Sequence, residues 1–461
     1  MSEKNPVRGQ IGIFGLGYVG VTLGVVLADH GFEVLGVEPR EKTIDHLKNG
    51  HCDIHEKGLP ELLKKHANKN FKFFKDSKNM RATTYIVAVG TPVGPTKVPG
   101  LEYVKAVADS LGRILEPGNL IVLRSTVPVG TTRNFFIPLV EESSHLEVGK
   151  DFSVVFAPER TIEGSAITEI TEIPQVIGGY DTESVQKAER IFRVISPQIV
   201  GVSSLEAAEL VKLFNNTYRD VIFGFANEAA LICDGFNVDP VEAIAAANEG
   251  YKRGDIPYPS PGVGGYCLTK DPHILLHCTR DLRYHPDIVF HARKVNDMMP
   301  VHVAEKVTHF LKGKKKALQK SKVFVLGMAF KGHPETTDIR FSPSVVVANC
   351  LQEKGINLSA HDPVVSEESI RLAGMQPIND LLDGFKNADC VIVMTNHMDY
   401  RKKRILRFLT RMNHPALFYD PWQLHDSKEV LAVTGVDYSN LGYDSDPRLA
   451  YMNTGFSPIE P

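Results

Sequence analysis

Three segments of the chain gather residue types that can do chemistry. In Pro261-Gly262-Val263-Gly264-Gly265-Tyr266-Cys267-Leu268-Thr269-Lys270-Asp271, a cysteine follows a glycine loop at a predicted helix start near Cys267. Helix N-termini and nearby cations lower thiol pKa values, and glycines let a substrate approach closely. Cys267 is therefore a candidate nucleophile, set against the small buried hydrophobe that most intracellular cysteines are; Cys52, Cys233, Cys278, Cys350 and Cys390 take the second role. Lys212 and Asn216 stand four residues apart on a helical pattern, so both project from one face and can meet one substrate oxygen, with Arg219 near the same azimuth. Surface helices produce such pairs often, and the spacing by itself predicts a solvent face.

The third segment is Gly15-Leu16-Gly17-Tyr18-Val19-Gly20, a GxGxxG pattern between a strand and a helix. Its glycines permit a tight turn and bring backbone amides to a pyrophosphate at the helix N-terminus. Glu38 ends the next strand about 20 residues on, where a carboxylate accepts from adenosine ribose hydroxyls and repels a 2′-phosphate. NAD is favoured over NADP, with Arg40, two residues further, able to fold over the adenine.

The elements that must hold these residues follow from periodicity. A strand Gln10–Phe14, the glycine turn, a helix 21–30 and a strand Glu33–Val37 form a βαβ unit. Apolar runs at 85–89, 120–123 and 154–156 alternate with helical segments such as 101–115, which predicts a parallel sheet covered on both faces and a first domain ending near residue 200. A long proline-free helix runs from 205 to 234, a second helix follows Pro240, and 253–265 is a Pro/Gly/Tyr loop. The lysines between Lys312 and Lys322 predict a solvated linker. A second α/β domain then starts with a strand at 323–326, a helix at 342–351 and strands at 357–360 and 391–394. The fold class is α/β: two Rossmann-like domains with parallel sheets joined by a long central helix.

Composition narrows the functions. The 461 residues are 43% hydrophobic and 23% charged, average for a soluble globular chain. With 52 Lys plus Arg against 55 Asp plus Glu, the net charge of -3 gives no global field for a polyanion, so nucleic acid is excluded as a partner. The 6 cysteines form no CxxC pair, which argues against a metal site and for a reducing cytoplasm. Lys4 and Arg8 before the uncharged run 9–28 imitate an export signal, but 6 glycines in that run fit a nucleotide turn better than a membrane segment.

Taken together, these residues resemble the UDP-glucose/GDP-mannose dehydrogenase family, from about residue 10 to about 440. The blocks are Gly15 to Gly20, Val89-Gly90-Thr91-Pro92, Ser125-Thr126-Val127-Pro128-Val129-Gly130-Thr131, Ala157-Pro158-Glu159-Arg160, Glu209 to Asn216, the Cys267 loop, and Gly327-Met328-Ala329-Phe330-Lys331. The resemblance implies an NAD domain over 1–200, a central helical, dimer-forming and catalytic-loop domain over 201–310, and a UDP-sugar domain over 318–461. NAD would lie on Gly15, Gly17, Tyr18, Val19, Gly20, Glu38, Arg40, Thr91, Pro92 and Thr126. Cys267 would be the nucleophile, Lys212 and Asn216 oxyanion stabilisers, and Asp271 a group positioning water or Lys212. Glu159 would assist proton transfer, with Thr126 near the water. Glu159, Arg160, Lys212, Asn216, Arg253, Gly264, Gly265, Phe330, Lys331 and Arg340 would face the nucleotide sugar.

The implied reaction is a four-electron oxidation of C6. An aldehyde has no second hydride to lose until a nucleophile adds to it, and a cysteine supplies that addition through a thiohemiacetal and a thioester. The loop Pro259-Ser260-Pro261-Gly262-Val263-Gly264-Gly265 and Arg253 resemble the branch acting on UDP-N-acetylhexosamines. Ser260 replaces that branch's usual glycine, Tyr266 stands where it often has histidine, and Lys270 before Asp271 is common to the UDP-glucose branch, which keeps UDP-glucose as the alternative substrate. Single-oxidation β-hydroxyacid and 6-phosphogluconate dehydrogenases share the first domain and the Lys/Asn helix but lack the cysteine loop and the second α/β domain. A sensor that kept the fold and lost turnover is the non-enzymatic alternative.

Overall fold

A computed structural model describes residues 9–280, 282–402 and 405–446. Lys4 and Arg8 lie outside the described residues. The chain divides into two compact units, 1–216 with 273–285 and 217–272 with 286–461.

The first unit is built on strands β1 (Gln10–Phe14), β2 (Glu33–Val37), β3 (Phe71–Phe74), β4 (Thr84–Val87), β5 (Leu120–Leu123), β6 (Ser153–Phe156), β7 (Gln175–Gly179) and β8 (Ile199–Val202). They pair in the order β3-β2-β1-β4-β5-β6-β7-β8. Successive residues point to opposite faces, so Ile11, Ile13 and Ile86 enter one core and Phe14, Tyr85 and Val87 the other. Helices such as Tyr18–Asp29 and Glu102–Gly112 cover these faces, which is why the strands read as continuous apolar runs. One pair departs from the expected parallel pattern: β7 runs antiparallel to β6, with Val155 opposite Gly179. The helix Ala166–Glu172 between them returns the chain on the reverse heading.

The second unit holds β9 (Lys322–Leu326), β10 (Asn357–His361), β11 (Gln376–Pro377), β12 (Cys390–Val393), β13 (Ala416–Tyr419) and β14 (Val436–Ser439). Their order is β11-β10-β9-β12-β13-β14, all parallel. Val323 and Val325 face one core, Phe324 and Leu326 the other.

Between the sheets in sequence runs the helix Leu205–Phe236, of 32 residues and about 48 Å at 1.5 Å per residue. Its buried positions include Leu205, Ala208, Lys212, Asn216, Asp220, Asn227 and Asp234, the helical period expected. The solvent stripe expected from the Lys212 and Asn216 spacing is inverted: both side chains are buried, while Arg219 is exposed, its guanidinium 5.9 Å from the Phe223 ring.

Two more local expectations change. The helix after the cysteine starts at Asp271, and Cys267 sits in the turn before it, where the Lys270 and Asp271 amides donate to the Cys267 carbonyl at 3.2 and 2.9 Å. The lysine run is no loose linker either. The helix Asp287–Gly313 absorbs Lys312, Lys314 pairs with Asp437 at 2.8 Å, and Lys316 pairs with Asp389 at 2.5 Å, so carboxylates of the second unit pin the run down. No helix among the described residues is long and apolar enough to cross a membrane.

Candidate active site

The nucleotide turn is shaped by contacts that admit no side chain. A Cβ on Gly20 would meet the Gly15 carbonyl oxygen at 1.9 Å, whereas one on Gly17 would meet nothing within 4 Å. The helix thus starts as close to the strand as backbone allows and leaves room beside Gly17 for a bulky anion, so these residues fit a dinucleotide. Tyr18 offers only its backbone there. Its hydroxyl donates to Glu56 and accepts from the Gly164 amide at 3.1 Å, and burial followed by Glu56 pushes its pKa up.

Glu38 directly follows β2, its carboxylate nearly buried. Oε2 accepts from the Leu16 amide at 3.3 Å, and Oε1 accepts from Arg40 Nε at 2.7 Å. Burial raises the Glu38 pKa, but Arg40 and the backbone donors outweigh it, so the net direction is down and the group stays anionic. Arg40 is committed to that carboxylate. Thr91 is buried and donates to the Thr126 carbonyl, tying the Pro92 turn to the Ser125–Thr131 segment. Glu209 holds the far end of that segment, accepting from the Gly130 amide at 2.6 Å and the Thr132 amide at 2.9 Å; burial lifts its carboxyl to about 6 despite these bonds.

Glu159 is fully engaged. Its Oε2 accepts from Arg124 Nη2 at 2.7 Å, and its Oε1 accepts the Arg160 and Thr161 amides at 2.7 and 2.9 Å. Burial opposes the charge, yet Arg124, the Thr161 amide and the Lys212 ammonium bring its pKa down to about 2. These donors favour its anionic form. Arg160 turns its guanidinium to the Pro174 carbonyl.

In the second unit the Cys267 loop is held by buried polar side chains. Arg293 pairs with Asp220 at 2.5 Å and also donates to the Leu268 and Val263 carbonyls, each at 3.2 Å. Asn296 donates to Asp220 Oδ1 and accepts from Asn227, whose carbonyl oxygen takes the Ser260 amide, each at 2.8 Å. Burial pushes the Asp220 carboxyl up to about 6 against the pull of Arg293. Ser260, in place of glycine, is buried and donates to the Gly262 carbonyl at 3.1 Å.

Gly264 and Gly265 are needed for packing rather than for open approach. Their missing Cβ atoms would fall 2.6 Å from the Phe341 carbonyl and 2.7 Å from the Phe330 ring, and Gly265 has φ +87°. Of the six cysteines only Cys267 is exposed. Beside it Lys270, buried, pairs with Asp271 at 2.5 Å, and Tyr266 has the Arg340 guanidinium 5.1 Å from its ring. Asp338 holds Arg340 at 2.6 Å, Lys331 lies 5.5 Å from the Phe330 ring, and Arg253 lies 5.0 Å from the Tyr251 ring on the exposed loop.

The structure thus groups Gly15, Gly17, Gly20, Glu38 and Arg40, then Thr91 with Thr126, then Glu159 with Lys212, in the first unit. In the second, Gly264 and Gly265 pack on Phe330, Asp271 pairs with Lys270, and Arg340 lies over Tyr266 beside Cys267 in sequence. Sequence reasoning missed Arg124, Lys270, Asp220 and Arg293. Asp220 continues the four-residue step of Lys212 and Asn216 and was open to detection; Arg293, 73 residues from Asp220, carried no signal.

Family comparison agrees with this arrangement. Residues 9–196 match the NAD binding domain of the UDP-glucose/GDP-mannose dehydrogenase family, 206–298 its central domain and 324–427 its UDP binding domain. The chain belongs to that family and is an NAD-dependent oxidoreductase of it. It is 34% identical to the UDP-N-acetyl-D-mannosamine dehydrogenase of Methanococcus vannielii over 87% of this chain and 88% of that one. Identity to the NDP-N-acetyl-D-galactosaminuronic acid dehydrogenase of Ralstonia solanacearum is 30% over 87% and 94%. The solved UDP-D-ManNAc dehydrogenase of Pyrococcus horikoshii superposes with a TM-score of 0.85 at 27% identity, covering 94% of this chain and 99% of that one. The similarity supports the N-acetylhexosamine branch.

The Glu159 pair gives a pH signature. Its folded pKa of about 2 lies below the ordinary 4.5, so its stabilisation is complete above pH 4.5 and is lost as pH falls toward 2. Glu159→Gln should cost about 3 kcal/mol at pH 7, the equivalent of that shift, and urea unfolding at pH 7, 5 and 3 should show the gap to the parental protein shrinking at acid pH. A gap independent of pH would contradict the assignment.

Proposed function

We propose that the chain oxidises C6 of a UDP-N-acetylhexosamine to the uronic acid, with Cys267 as covalent nucleophile. The observation that carries this is the pairing of exposure with restraint at Cys267: an accessible thiol on a loop whose flanking carbonyls are fixed by a buried arginine. NAD, when bound, supplies hydride acceptance at C6 twice. Gly15, Gly17, Val19, Gly20 and the Tyr18 backbone would hold its pyrophosphate, and Thr91, Pro92 and Thr126 would line its far half. The Glu38 anion suits ribose hydroxyls and repels a 2′-phosphate, since Arg40 already spends its charge on Glu38.

Lys212 and Asn216 stabilise the alkoxide of the first oxidation and the tetrahedral oxyanions that follow. Cys267 adds through sulfur to the aldehyde carbon, giving a thiohemiacetal; loss of the second hydride leaves a thioester. Water then attacks the acyl carbon, the C–S bond breaks, and carboxylate and thiol are released. Asp271 orients that water, and the Glu159 anion assists proton transfer during hydrolysis. Arg160, Arg253, Gly264, Gly265, Phe330, Lys331 and Arg340 hold the nucleotide sugar. The division by role follows: 1–200 for NAD, 201–310 for the cysteine loop and dimer contacts, 318–461 for UDP. A thiolate mechanism suits the reducing cytoplasm.

The N-acetyl reading rests on the names of the similar proteins and on the Ser260 loop. A pocket whose amide partners go unpaired loses about 1–3 kcal/mol, roughly 5-fold to 150-fold in preference. The UDP-glucose alternative is kept by Lys270. Two NADH should appear per sugar nucleotide consumed, Cys267→Ala should abolish acid formation, and kcat/KM should favour a UDP-N-acetylhexosamine over UDP-glucose. One NADH with free aldehyde accumulating would sink the four-electron route; equal or better use of UDP-glucose would overturn the substrate assignment alone.

A homodimer through the central helix is the second proposal. Tyr218, Phe225, Ile232 and Phe236 are exposed at spacings of seven, seven and four, one apolar stripe along the helix. Light scattering should give the mass of two chains, and Phe225→Glu with Ile232→Glu should give one. A single-chain mass for the parental protein would contradict it.

A further inference from the structure

The turn after β9 repeats the nucleotide turn after β1, up to one point. Both strands lie inside their sheets, β1 between β2 and β4, β9 between β10 and β12. Phe14 is opposite Val37 and Leu326 opposite His361, so Glu38 and Asp362 are equivalent positions, each one residue beyond the neighbouring strand. Gly15 and Gly327 leave their strands at φ +91° and +98°, and their amides donate to the Val37 and His361 carbonyls at 2.9 and 2.8 Å. The next amide in each turn donates to the acid: Leu16 to Glu38 Oε2 at 3.3 Å, Met328 to Asp362 Oδ2 at 2.7 Å.

Beyond that point the turns part. At the first, Gly17 borders open space and the helix Tyr18–Asp29 starts at once. At the second, Ala329 stands in that place, 3% exposed, and its amide also donates to Asp362 Oδ2, at 3.1 Å. Asp362 Oδ1 accepts from the Val364 and Val365 amides at 2.9 and 3.0 Å, so four backbone donors hold one carboxylate. The chain then runs through Phe330 and Lys331 and starts its helix only at Pro343, after the Ser342 cap. Consecutive amides of such a turn are the donors that a pyrophosphate uses. Here a carboxylate of the same chain takes them.

We propose that Asp362 is a positioning residue for the nucleotide sugar: its carboxylate fills, at the second turn, the place a pyrophosphate takes at the first, and so fixes the segment carrying Phe330 and Lys331. The proposal rests on the reading that this unit binds the UDP portion. With the turn amides engaged, a diphosphate there draws on side-chain cations instead, Lys331 on the turn and Arg340 nine residues on. Phe330 ties the turn to the cysteine loop, since its ring lies 2.7 Å from where Gly265 would carry a Cβ. A turn that shifted would disturb both the cation and that packing.

The test compares the parental protein with Asp362→Ala, which removes the carboxylate, and Asp362→Asn, which keeps one acceptor. Hydrogen exchange over 327–332 is followed without nucleotide, and UDP and NADH binding by titration calorimetry. Asp362→Ala should speed exchange at Met328 and Ala329 about tenfold or more and weaken UDP about tenfold or more, while NADH affinity at the first turn stays within about twofold. Asp362→Asn should fall between. Added acetate, a carboxylate small enough to take the place of the lost one, should return Asp362→Ala toward parental exchange and UDP affinity. Losses that acetate does not reverse would assign the effect to ordinary packing and overturn the proposal, as would an equal loss of NADH affinity. Unchanged exchange at Met328 and Ala329 in Asp362→Ala overturns it while the UDP reading stands. A parental protein that binds NADH but not UDP fails that reading and takes the proposal with it.

Discussion

The buried pair between Asp220 and Arg293 is the interaction on which the candidate site depends. Residues 253–265 have no regular structure, yet the cysteine that follows them must be held still to act as a nucleophile. Arg293 solves this with one guanidinium: it pairs with Asp220 and donates through Nη1 and Nη2 to the carbonyls of Leu268 and Val263 on either side of the glycines. Burying two charges is costly unless geometry and extra hydrogen bonds compensate, and breaking such a pair costs about 3–5 kcal/mol. Asn296 and Asn227 extend the compensation to the Ser260 amide.

The long helix makes this possible by carrying polar residues on its buried face. Glu209 holds the loop at Gly130 and Thr132, Lys212 supports the Glu159 anion, Asp220 holds Arg293, and Asp234 pairs with Lys306 at 2.6 Å. Each of these partners belongs to a different segment of chain. A helix packed only through leucines would be stable but would orient none of them; specific hydrogen bonds fix register where apolar contact does not.

Much of the fold was legible because strand and helix periods are local. The strands at Gln10–Phe14, Glu33–Val37 and Leu120–Leu123 lie where alternation and turn signals put them, and the long helix begins at Leu205 as expected. The exposure of Lys212 and Asn216 was misread because spacing reports a shared face but not which way it points; only the partners of that face decide it. The helix start at Asp271 rather than Cys267 escaped for a similar reason, since the turn before it bonds to the Cys267 carbonyl in helix-like fashion. Ion pairs such as Arg124 with Glu159 join residues 35 apart and leave no periodic trace.

If the Asp220–Arg293 pair is what holds the cysteine loop, Asp220→Asn should loosen that loop before it weakens the sheets. Hydrogen exchange resolved by peptide tests this most directly. Amides of 259–270 should exchange about tenfold faster or more in the variant, the equivalent of losing one hydrogen bond to a charged group, while β9 and β12 keep their protection. Unchanged exchange over 259–270, or equal acceleration in the sheet strands, would contradict it.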